Sequence, residues 1–468
     1  MNVYIVGAGP GDSGLLTLRA KEIINRAEVV IYDRLVSDSV LAMIPENAEL
    51  IDAGKSSSFH KISQREIESL IIKHAKTGKI TVRLKGGDPF LFGRGGEEAD
   101  SLIKAGINFE IVPGVSSALA VPEWAGIPVT HRDYCSGLNI FTAHDRNNLL
   151  PDFTRTTKIF LMGVANSEIL QNKLLSENLS PDTSCAIIEN GTSSQERIIR
   201  TELNNLHEAI IANKINPPAI IIIGDTAKLN YSWRKKLPLH DKKIIITRPA
   251  GRSENLAALL RDSGAEVVLM PAIKTQIISD SLTGKNLSGY DYIGFTSVTG
   301  VEAFFKLLRD SNRDIREIGG AKIAAIGLAT AEALHSHGLR VDFVPEIYDC
   351  RHLAEGLAGK ILMLRALNGS PEIAEIFDSR NINYDEICIY RIDYVKFKHV
   401  PKFADFIIFT SASTVKGFAM NTNNLREVIA ICIGEQTAKE AINAGFMNVR
   451  ISKQATVKSI YDAVMSCL

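Results

Sequence analysis

The strongest constraint on the fold is an alternation of strand-like apolar runs with amphipathic stretches, which begins at the first residues. Residues 3–6 form an apolar run, residues 15–26 an amphipathic stretch and residues 29–32 a second apolar run. The alternation continues through residues 80–84 and reaches residues 219–223. Strands that alternate with helices form βαβ units. The sequence therefore predicts an α/β protein with mainly parallel sheets.

Composition and charge exclude several classes of partner. The 53 Lys and Arg residues balance 53 Asp and Glu residues, so the formal net charge is zero and no overall field attracts nucleic acid or an acidic membrane. The longest aliphatic run, residues 219–223, is far shorter than the roughly 20 residues of a membrane span. The six cysteines are dispersed, without a C-x-x-C pair or a histidine at metal-ligand spacing. We expect a cytoplasmic protein with reduced cysteines and without metal, nucleic acid or membrane as a partner.

Turn-rich and polar segments divide the chain into two halves. We predict a first domain at 1–235, with lobes at about 1–113 and 114–230, then a linker at 236–242 and a second domain at 243–468. The second domain contains an internal repeat, because residues 293–304 resemble residues 407–418 and the pattern I-G-x-x-T-A occurs at 326–331 and 433–438. Each copy predicts a strand, a short polar turn and a helix. Two similar lobes follow from the repeat.

The polar turn of each repeat is Thr-Ser, at Thr296-Ser297 and at Thr410-Ser411. Hydroxyl residues at a helix start leave backbone N–H groups free for an anion such as a carboxylate. The same residues are also common helix N-caps without any ligand. Their repetition in two lobes favours a ligand cleft.

A glycine-rich loop at residues 7–12, G-A-G-P-G-D, follows the first strand. It partly matches the dinucleotide-binding fingerprint G-x-G-x-x-G. However, Asp12 occupies the position of the third glycine, and Pro10 stiffens the loop. A nicotinamide oxidoreductase is therefore disfavoured. The sequence G-K-S at 54–56 lacks the first glycine of a P-loop, since position 49 is glutamate.

The densest group of chemically useful residues is R-L-K-G-G-D-P-F-L-F-G-R-G-G-E-E at 83–98. Its glycines permit close approach of the backbone to a ligand, Asp88 before a proline favours a turn, and Arg94 offers a planar fork for a carboxylate. A glycine hinge between strand and helix is the alternative. A hinge does not need arginines and acids, so a ligand site is favoured.

Together these motifs resemble uroporphyrinogen-III C-methyltransferase, a tetrapyrrole methylase, over residues 1 to about 230. The resemblance rests on V-G-A-G-P-G-D (6–12), Y-D-R-L-V-S (32–37), the 83–98 segment, V-P-G-V-S-S-A (112–118), A-G-I-P-V-T-H-R (125–132) and E-N-G-T (189–192). It implies a two-lobed homodimer that uses S-adenosylmethionine. The cofactor contacts that it implies are Pro10, Gly86, Gly87, Asp88, Leu91, Ser116, Ser117, Met162 and Gly191.

The resemblance also implies roles for charged residues. Asp33 matches the family's proton acceptor and Lys55 its proton donor, although Lys55 can equally hold a substrate carboxylate and both can be solvated surface charges. The acetate and propionate arms of the substrate need cations. The candidates in the matching segments are Arg83, Lys85, Arg94, His131 and Arg132.

Residues from about 241 to 468 resemble uroporphyrinogen-III synthase, through I-I-I-T-R-P (244–249), the two F-T-S segments, I-G-x-x-T-A twice, L-M-L-R-A (362–366) and I-C-I-Y-R (387–391). The family fold implies one lobe at 243–275 plus 393–468 and another at 276–392. Its reaction closes linear hydroxymethylbilane with inversion of the last ring, and no cofactor is implied. Candidate substrate contacts are Thr247, Arg248, Thr296, Ser297, Thr330, Thr410, Ser411 and Thr437. Tyr390 is a candidate proton donor, with a half-buried strand tyrosine as its alternative.

These resemblances predict a bifunctional enzyme of tetrapyrrole synthesis. The second half is expected to make uroporphyrinogen III, and the first half to methylate it twice to precorrin-2. Direct transfer between the two sites is a hypothesis. A methylase of a later corrin precursor, or a second half that only binds or senses a ligand, are the alternatives. Whether the product enters sirohaem or cobalamin synthesis is left open.

Overall fold

The computed structural model describes residues 2–54, 62–142, 156–249, 251–422 and 424–468. The described strands form four five-stranded sheets. One compact unit comprises Met1–Ala272 and Lys396–Leu468, and a second comprises Ile273–Val395. We call the sheets and their helices the first lobe (2–113), the second lobe (114–229), the third lobe (243–272 and 396–468) and the fourth lobe (273–395). The first three lobes lie in the first unit, and the fourth lobe is the second unit.

The first lobe is a parallel sheet covered by helices on both faces. Its elements are β1 (Val3–Gly7), a 3-10 helix (Ser13–Leu15), α1 (Leu18–Asn25), β2 (Val29–Tyr32), α2 (Asp38–Leu41), β3 (Glu49–Asp52), α3 (Gln64–Ala75), β4 (Thr81–Lys85), α4 (Gly95–Lys104) and β5 (Phe109–Val112). The strand order is β3-β2-β4-β1-β5, and every pairing is parallel. Helices α1 and α2 pack on one face, and α3 and α4 on the other. Because β1 and β4 are neighbours whose connections leave in opposite directions, a crevice opens at their carboxyl ends.

The second lobe departs from the predicted parallel arrangement. Its elements are α5 (Ser117–Trp124), β6 (Gly137–Thr142), β7 (Thr156–Leu161), α6 (Ser167–Ser176), β8 (Ser184–Glu189), β9 (Arg197–Glu202), 3-10 helices at Leu203–Asn205 and Asp225–Lys228, α7 (Leu206–Ala212) and β10 (Ala219–Ile223). In the order β6-β7-β10-β8-β9 the first pairing is parallel, and the other three are antiparallel. The prediction of mainly parallel sheets is therefore wrong for this lobe. Strands β8 and β9 are joined by residues 190–196, a connection too short for a crossover helix, so they form a hairpin.

The carboxyl-terminal half contains two parallel-rich lobes, one inserted into the other. The third lobe starts with β11 (Lys243–Ile246), α8 (Glu254–Asp262) and β12 (Glu266–Leu269). The fourth lobe follows with β13 (Ile273–Ile277), β14 (Tyr292–Phe295), α9 (Val298–Asp310), a 3-10 helix (Ile315–Ile318), β15 (Lys322–Ala325), α10 (Leu328–Ser336), α11 (Cys350–Glu355), β16 (Ile361–Ala366), α12 (Glu372–Ser379) and β17 (Tyr384–Tyr394). The third lobe is completed by β18 (Phe406–Phe409), α13 (Ala412–Ala419), β19 (Ile429–Cys432), α14 (Glu435–Asn443), β20 (Asn448–Ile451) and α15 (Val457–Met465).

The internal repeat has the structure that the sequence predicts. The third-lobe sheet, in the order β12-β11-β18-β19-β20, is parallel throughout. The fourth-lobe sheet, in the order β13-β17-β16-β14-β15, has one antiparallel pairing, between β13 and β17. In each lobe a strand leads through Thr-Ser into a helix that the serine caps: Ser297 caps α9 and Ser411 caps α13. The strand, Thr-Ser and helix pattern is confirmed in both lobes.

The predicted linker is packed against its neighbours. A 3-10 helix at Arg234–Lys236 ends at its first residue, and Leu239 is fully buried in the third-lobe core. The guanidinium of Arg234 lies 4.1 Å from the centre of the Trp124 ring in the second lobe. The domain boundaries stay predictions.

Within the described residues, no helix is long and apolar enough for a membrane crossing, and no cluster of His, Cys, Asp or Glu has the form of a metal site.

Candidate active sites

The crevice of the first lobe is built from backbone. Gly9 and Gly87 exchange two hydrogen bonds, with N···O distances of 3.2 Å from Gly9 N and 2.7 Å from Gly87 N. These bonds extend the β1/β4 pairing by a short antiparallel bridge. Pro10 and Gly86, two predicted cofactor contacts, are the chain neighbours of the bridged residues. The two loops therefore meet at the point where the strand connections diverge, which is where open α/β sheets bind ligands.

Three glycines permit this approach. A Cβ atom on Gly114 would lie 2.2 Å from the carbonyl oxygen of Gly87, and one on Gly7 would lie 2.5 Å from the Cα of Gly114. Both distances are far inside van der Waals contact. Gly87 also has a φ of 69°, in the left-handed region that favours glycine. Side chains at these positions would push apart the loops after β1, β4 and β5.

The carboxylate of Asp88 fastens the same loops together. Its Oδ1 accepts hydrogen bonds from the backbone N–H of Phe90 at 2.8 Å and of Leu91 at 3.2 Å. Its Oδ2 accepts one from Gly114 N at 3.1 Å. The acid thus caps its own turn and ties the loop after β4 to the loop after β5.

Helix α5 brings the second lobe to this edge. Ser116 caps the helix, and its Oγ accepts a hydrogen bond from Ala118 N at 3.2 Å. Ser117 borders the crevice, since a Cβ on Gly87 would lie 3.7 Å from Ser117 N. Leu91 packs against the second-lobe core. The structure therefore brings the 86–91 loop and the two predicted serines together.

A second loop of the second lobe, residues 190–196, reaches the first loop. A Cβ on Gly191 would lie 2.3 Å from Cγ1 of Val121 in α5. A Cβ on Gly11 would lie 2.6 Å from Oγ1 of Thr192. That hydroxyl is buried and has no hydrogen-bond partner among the described residues. Met162, in the turn after β7, has a φ of 58° and an exposed fraction of 46%.

Beside the crevice, four charged side chains form a buried cluster. Arg83 Nη2 lies 2.5 Å from Asp33 Oδ1, and Arg83 Nε lies 3.0 Å from Glu98 Oε1. Lys85 Nζ lies 2.9 Å from the same Glu98 oxygen and 3.8 Å from Asp33 Oδ2. Gln64 also donates to Glu98 Oε1, at 3.2 Å. Arg83 and Lys85 lie two residues apart on one strand and so point to the same face of the sheet.

The cluster balances two cations against two carboxylates, and three of its four side chains are buried. The side chains of Arg83, Lys85 and Glu98 are 2%, 3% and 0% exposed. Burial, with the charge of Arg83 as a second cause, lowers the pKa of Lys85 despite its carboxylate partners. Burial would also lower the pKa of Arg83, but the charges of Asp33 and Glu98 outweigh it and raise that pKa. The predicted binding of substrate by Arg83 and Lys85 stays a prediction; the contacts in the structure are to Asp33 and Glu98.

Asp33 is the member of the cluster that reaches solvent, with a side chain that is 29% exposed. It follows directly on β2, and its backbone N–H donates to the carbonyl of Leu84 at 3.2 Å. A carboxylate held by a buried arginine and open on one side can accept a proton from a bound molecule. Lys55, the predicted proton donor, lies outside the described residues.

The other predicted cations lie nearer the surface. Arg94 is exposed, has a φ of 60° and donates from Nε to Glu97 Oε1 at 3.0 Å. His131 is half-buried and accepts at Nδ1 from the backbone N–H of Asp133 at 3.2 Å. Arg132 is exposed. These positions suit contact with the arms of a large anionic ligand.

In the fourth lobe, Ser297 and Tyr390 form a hydroxyl pair. Ser297 Oγ accepts from Gly300 N at 2.9 Å as the cap of α9, and it lies 2.9 Å from the phenol oxygen of Tyr390. Tyr390, on β17, is 5% exposed, and Thr296 is half-buried. The predicted residues Ser297 and Tyr390 are therefore in direct contact.

In the third lobe, Thr247 has a structural partner. It is fully buried, and its Oγ1 donates to the carbonyl of Ile408 at 2.7 Å, which links the ends of β11 and β18. The adjacent Arg248 is half-buried, and burial lowers the pKa of its guanidinium. Arg248 is therefore the third-lobe candidate with a charge placed to meet an anion.

The remaining predicted hydroxyls lie at helix starts. Ser411 Oγ accepts from Thr414 N at 3.2 Å and lies beside Ser413, while Thr410 is half-buried. Thr330 and Thr437 occupy the first turns of α10 and α14, and each is 4% exposed. The helix starts are as predicted, but these two threonines are packed inside their lobes.

Sequence reasoning missed the roles of two buried groups. Glu98 was noted only as an acid of the dense segment, although it is the buried counter-charge of Arg83 and Lys85. A glutamate in the first turn of α4, after two basic residues at alternating strand positions, was the available signal. Thr192 belongs to the E-N-G-T motif, but that motif does not reveal its contact with Gly11, which is distant in the chain.

Comparison with known proteins gives a family for each half. Residues 2–207 match the family of Tetrapyrrole (Corrin/Porphyrin) Methylases, and residues 254–462 match Uroporphyrinogen-III synthase HemD. A porphyrin biosynthesis protein HemD of Ruminiclostridium josui is 39% identical over 492 residues, which cover 99% of this chain and 97% of that protein. The uroporphyrinogen-III C-methyltransferase of Bacillus subtilis (strain 168) is 37% identical over 350 residues, 72% of each chain.

Among solved structures, the uroporphyrin-III C-methyl transferase of Thermus thermophilus, complexed with S-adenyl homocysteine, is 37% identical. It covers 49% of this chain and 99% of its own, with a TM-score of 0.42. Both resemblances found in the sequence motifs are confirmed by the family matches. Because the R. josui relative matches along almost the whole length, the chain belongs to a family of fused porphyrin-biosynthesis proteins, in which a tetrapyrrole methylase domain precedes a uroporphyrinogen-III synthase domain.

Proposed function

We propose that the carboxyl-terminal half closes hydroxymethylbilane to uroporphyrinogen III and that the amino-terminal half methylates this product twice to precorrin-2. The observation that carries the proposal is the glycine-lined crevice between β1 and β4, with a carboxylate, Asp33, fixed beside it by buried Arg83. The product of one half is the substrate of the other. The formal net charge of zero is compatible with two anionic substrates, because each site needs only a local group of cations.

S-adenosylmethionine is the proposed methyl donor, and the crevice fits it. Glycines keep side chains out of the crevice, where Gly11 and Gly86 are half-buried, and the Thr192 hydroxyl, which has no hydrogen-bond partner among the described residues, lies beside Gly11. A buried polar atom without a partner is costly unless a ligand or water satisfies it. When bound, the sulfonium supplies an electrophilic methyl group. The residues proposed to hold the donor are Pro10, Gly86, Gly87, Asp88, Leu91, Ser116, Ser117, Met162 and Gly191.

The methylase needs orientation and one proton acceptor. An electron-rich pyrrole carbon of the porphyrinogen forms the new C–C bond as the methyl–sulfur bond breaks, and the ring then loses a proton. Asp33 is the proposed acceptor, because its carboxylate is fixed on one side and exposed on the other. Arg94, His131 and Arg132 are proposed to bind the carboxylate arms of the substrate, and Lys55 to donate a proton or hold an arm.

The synthase must expel hydroxide from the hydroxymethyl carbon and close the ring. The C–O bond breaks, and a C–C bond forms to the already substituted carbon of the last ring, which gives a spiro intermediate. The older C–C bond at that carbon then breaks, and a new C–C bond forms on the other side of the ring, which loses a proton. The inverted macrocycle and one water result. Ser297 can donate to the Tyr390 oxygen, which leaves the phenol proton for the departing hydroxyl. Arg248 and the Thr-Ser turns are the proposed carboxylate contacts, whereas Thr247, Thr330 and Thr437 are buried in their lobes and are left out of this proposal. We propose no cofactor for this half.

The two activities can be tested separately. Purified full-length protein is supplied with fresh hydroxymethylbilane under anaerobic reducing conditions, with and without S-adenosylmethionine. We expect isomer III without the donor and a dimethylated product with it, resolved by absorbance and mass spectrometry. Accumulation of isomer I alone would show that the second half is a non-catalytic ligand-binding or regulatory module. Uroporphyrinogen III supplied directly tests the methylase without the synthase.

Single substitutions assign each activity to its half. We expect Asp33→Asn to abolish methylation and leave ring closure intact, and Tyr390→Phe to slow ring closure and leave methylation intact. Each variant serves as the folding control of the other. A homodimer formed through the methylase half and a cytoplasmic location are further proposals from the family resemblance, and light scattering of the full chain tests the first.

A further inference from the structure

The third lobe contacts both lobes of the methylase half through one pair of charges. Lys243 and Glu266 are register partners on β11 and β12, and Lys243 Nζ lies 3.0 Å from Glu266 Oε1. Lys243 also forms an ion pair with Oδ2 of Asp38 in the first lobe. Glu266 Oε2 accepts two hydrogen bonds from Ser194 in the second lobe, at 2.9 Å from N and 2.8 Å from Oγ. The pair thus joins three lobes of one compact unit.

On the first-lobe side, the pair holds the segment that carries Asp33. Asp38 begins α2 only five residues later. Its other carboxylate oxygen, Oδ1, lies 2.6 Å from Nε2 of His399, also in the third lobe. The adjacent Ser39 donates to the carbonyl of Gly11 at 3.4 Å. Capture of Asp38 therefore fixes the segment after β2 and its contact with the first glycine loop.

On the second-lobe side, the pair holds the loop that carries Gly191. Residues 190–196 are bonded internally: Ser193 donates to the carbonyl of Asn190 at 2.7 Å, and Thr192 N donates to Glu196 at 3.1 Å. Ser194 is the residue of this loop that the third lobe holds. A bonded loop moves as one piece, so the anchor at Ser194 fixes the position of Gly191 as well.

Burial makes the connection strong. The side chains of Lys243 and Glu266 are 5% and 10% exposed. Loss of one partner from a buried ion pair leaves an uncompensated charge, whereas an exposed pair contributes little. Ala42 of the first lobe also packs against the third-lobe core. Arg234, which lies over Trp124 of the second lobe, donates to the Gly264 carbonyl of the third lobe at 2.7 Å.

We propose that the Lys243–Glu266 pair of the synthase half is a positioning element of the methyltransferase. It fixes the segment 33–38 and the loop 190–196 relative to each other, and so sets the affinity of the crevice for S-adenosylmethionine and S-adenosylhomocysteine. The synthase lobe then acts as structural support for the methylase as well as the carrier of its own reaction. This inference rests on the proposed function of the methylase half.

The test uses the full chain and S-adenosylhomocysteine as the probe. Calorimetry gives its Kd for the unsubstituted protein and for Lys243→Met, Glu266→Gln and Asp38→Asn. The matched control is Lys242→Met, the neighbouring lysine in an exposed pair with Asp241. The rate of ring closure by the same samples shows that the third lobe is folded. We expect affinity to fall about tenfold in the three variants and to change by less than about twofold in the control.

The double variant Ser194→Ala/Glu266→Gln sharpens the test. Because both substitutions weaken one connection, we expect the double variant to bind about as Glu266→Gln does. Unchanged affinity in Glu266→Gln and Lys243→Met, with ring closure retained, would overturn the inference even if their melting temperatures fall. If Lys243→Met loses ring closure, the affinity of the isosteric variant Glu266→Gln alone decides whether the inference holds. Failure of the unsubstituted protein to bind the probe would instead count against the proposed function.

Discussion

Arg83→Met should slow methylation far more than Glu98→Gln, although each substitution removes one member of the same charge cluster. Arg83 is the cation bonded to Asp33, and Glu98 is the anion that neutralises Arg83 and Lys85 from the other side. Loss of Arg83 removes the contact that holds the Asp33 carboxylate in place. Loss of the Glu98 charge leaves that contact present. If Asp33 accepts the proton, the rate of methylation should therefore depend mainly on Arg83.

The size of each effect follows from distance and burial. Arg83 contacts Asp33 at 2.5 Å, and a misplacement of a reacting group by about 1 Å can lower the rate about a hundredfold. We therefore expect kcat/KM to fall about a hundredfold in Arg83→Met. Glu98 acts through the cations, and kcat/KM should fall less than about tenfold in Glu98→Gln. Removal of Arg83 from its buried pairs should also destabilise the fold by about 3–5 kcal/mol.

The assay is the initial rate of methylation of supplied uroporphyrinogen III, at saturating and limiting substrate. Asp100→Asn is the matched control, since Asp100 is exposed on α4, two residues from Glu98. Ring closure of hydroxymethylbilane by the same samples monitors folding of the synthase half, and circular dichroism monitors the first lobe. Equal losses of kcat/KM in Arg83→Met and Glu98→Gln would falsify the assignment of Asp33 as the group that this cluster positions.

Three further outcomes are expected. Gly114→Ala would place a Cβ 2.2 Å from the Gly87 carbonyl, so binding of S-adenosylhomocysteine should be lost while ring closure continues, as calorimetry and product analysis can show. Burial would raise the pKa of Asp38, but bonds to His399 and Lys243 outweigh it and lower that pKa from 3.8 to about 2. The lowered pKa contributes about 2 kcal/mol to the free energy of unfolding. This contribution is complete above the unfolded pKa and is lost as pH falls through the folded pKa. Urea unfolding should therefore show that Asp38→Asn costs most above about pH 5 and least near pH 2. Ser297→Ala removes a helix cap worth about 1 kcal/mol, and it should slow ring closure without change in methylation.

Local patterns in the sequence predicted local structure well. The Thr-Ser turns at Thr296 and Thr410 end strands and start helices as expected, because strand periodicity and N-capping are properties of a few consecutive residues. The glycine motifs around Gly87 and Gly114 predicted a ligand loop for the same reason. The structure shows a further reason for glycine at these positions, which is the close contact between the two loops. Spacing in the sequence does not reveal that contact.

Contacts between distant segments could not be predicted from such patterns. Strand β9 has the sequence R-I-I-R-T-E, whose residues are exposed or half-buried. It lacks the apolar run of a central strand, so the sequence does not predict this strand or the antiparallel sheet to which it belongs. The Lys243 partner Asp38 lies 205 residues away in the chain. Nothing in the local composition of either segment distinguishes a buried interlobe ion pair from two solvated charges.

The insertion of the fourth lobe has a consequence for synthesis on the ribosome. Strand β11 pairs with β12 on one side and with β18 on the other, yet β18 begins 160 residues after Ile246. At about 5–20 residues per second, one edge of β11 lacks its partner for roughly 8–32 s while the inserted lobe is made. An unpaired apolar strand edge is a template for aggregation. We therefore expect chaperone demand to peak in this interval, and nascent chains arrested between residues 273 and 405 to aggregate more readily than chains arrested after β18.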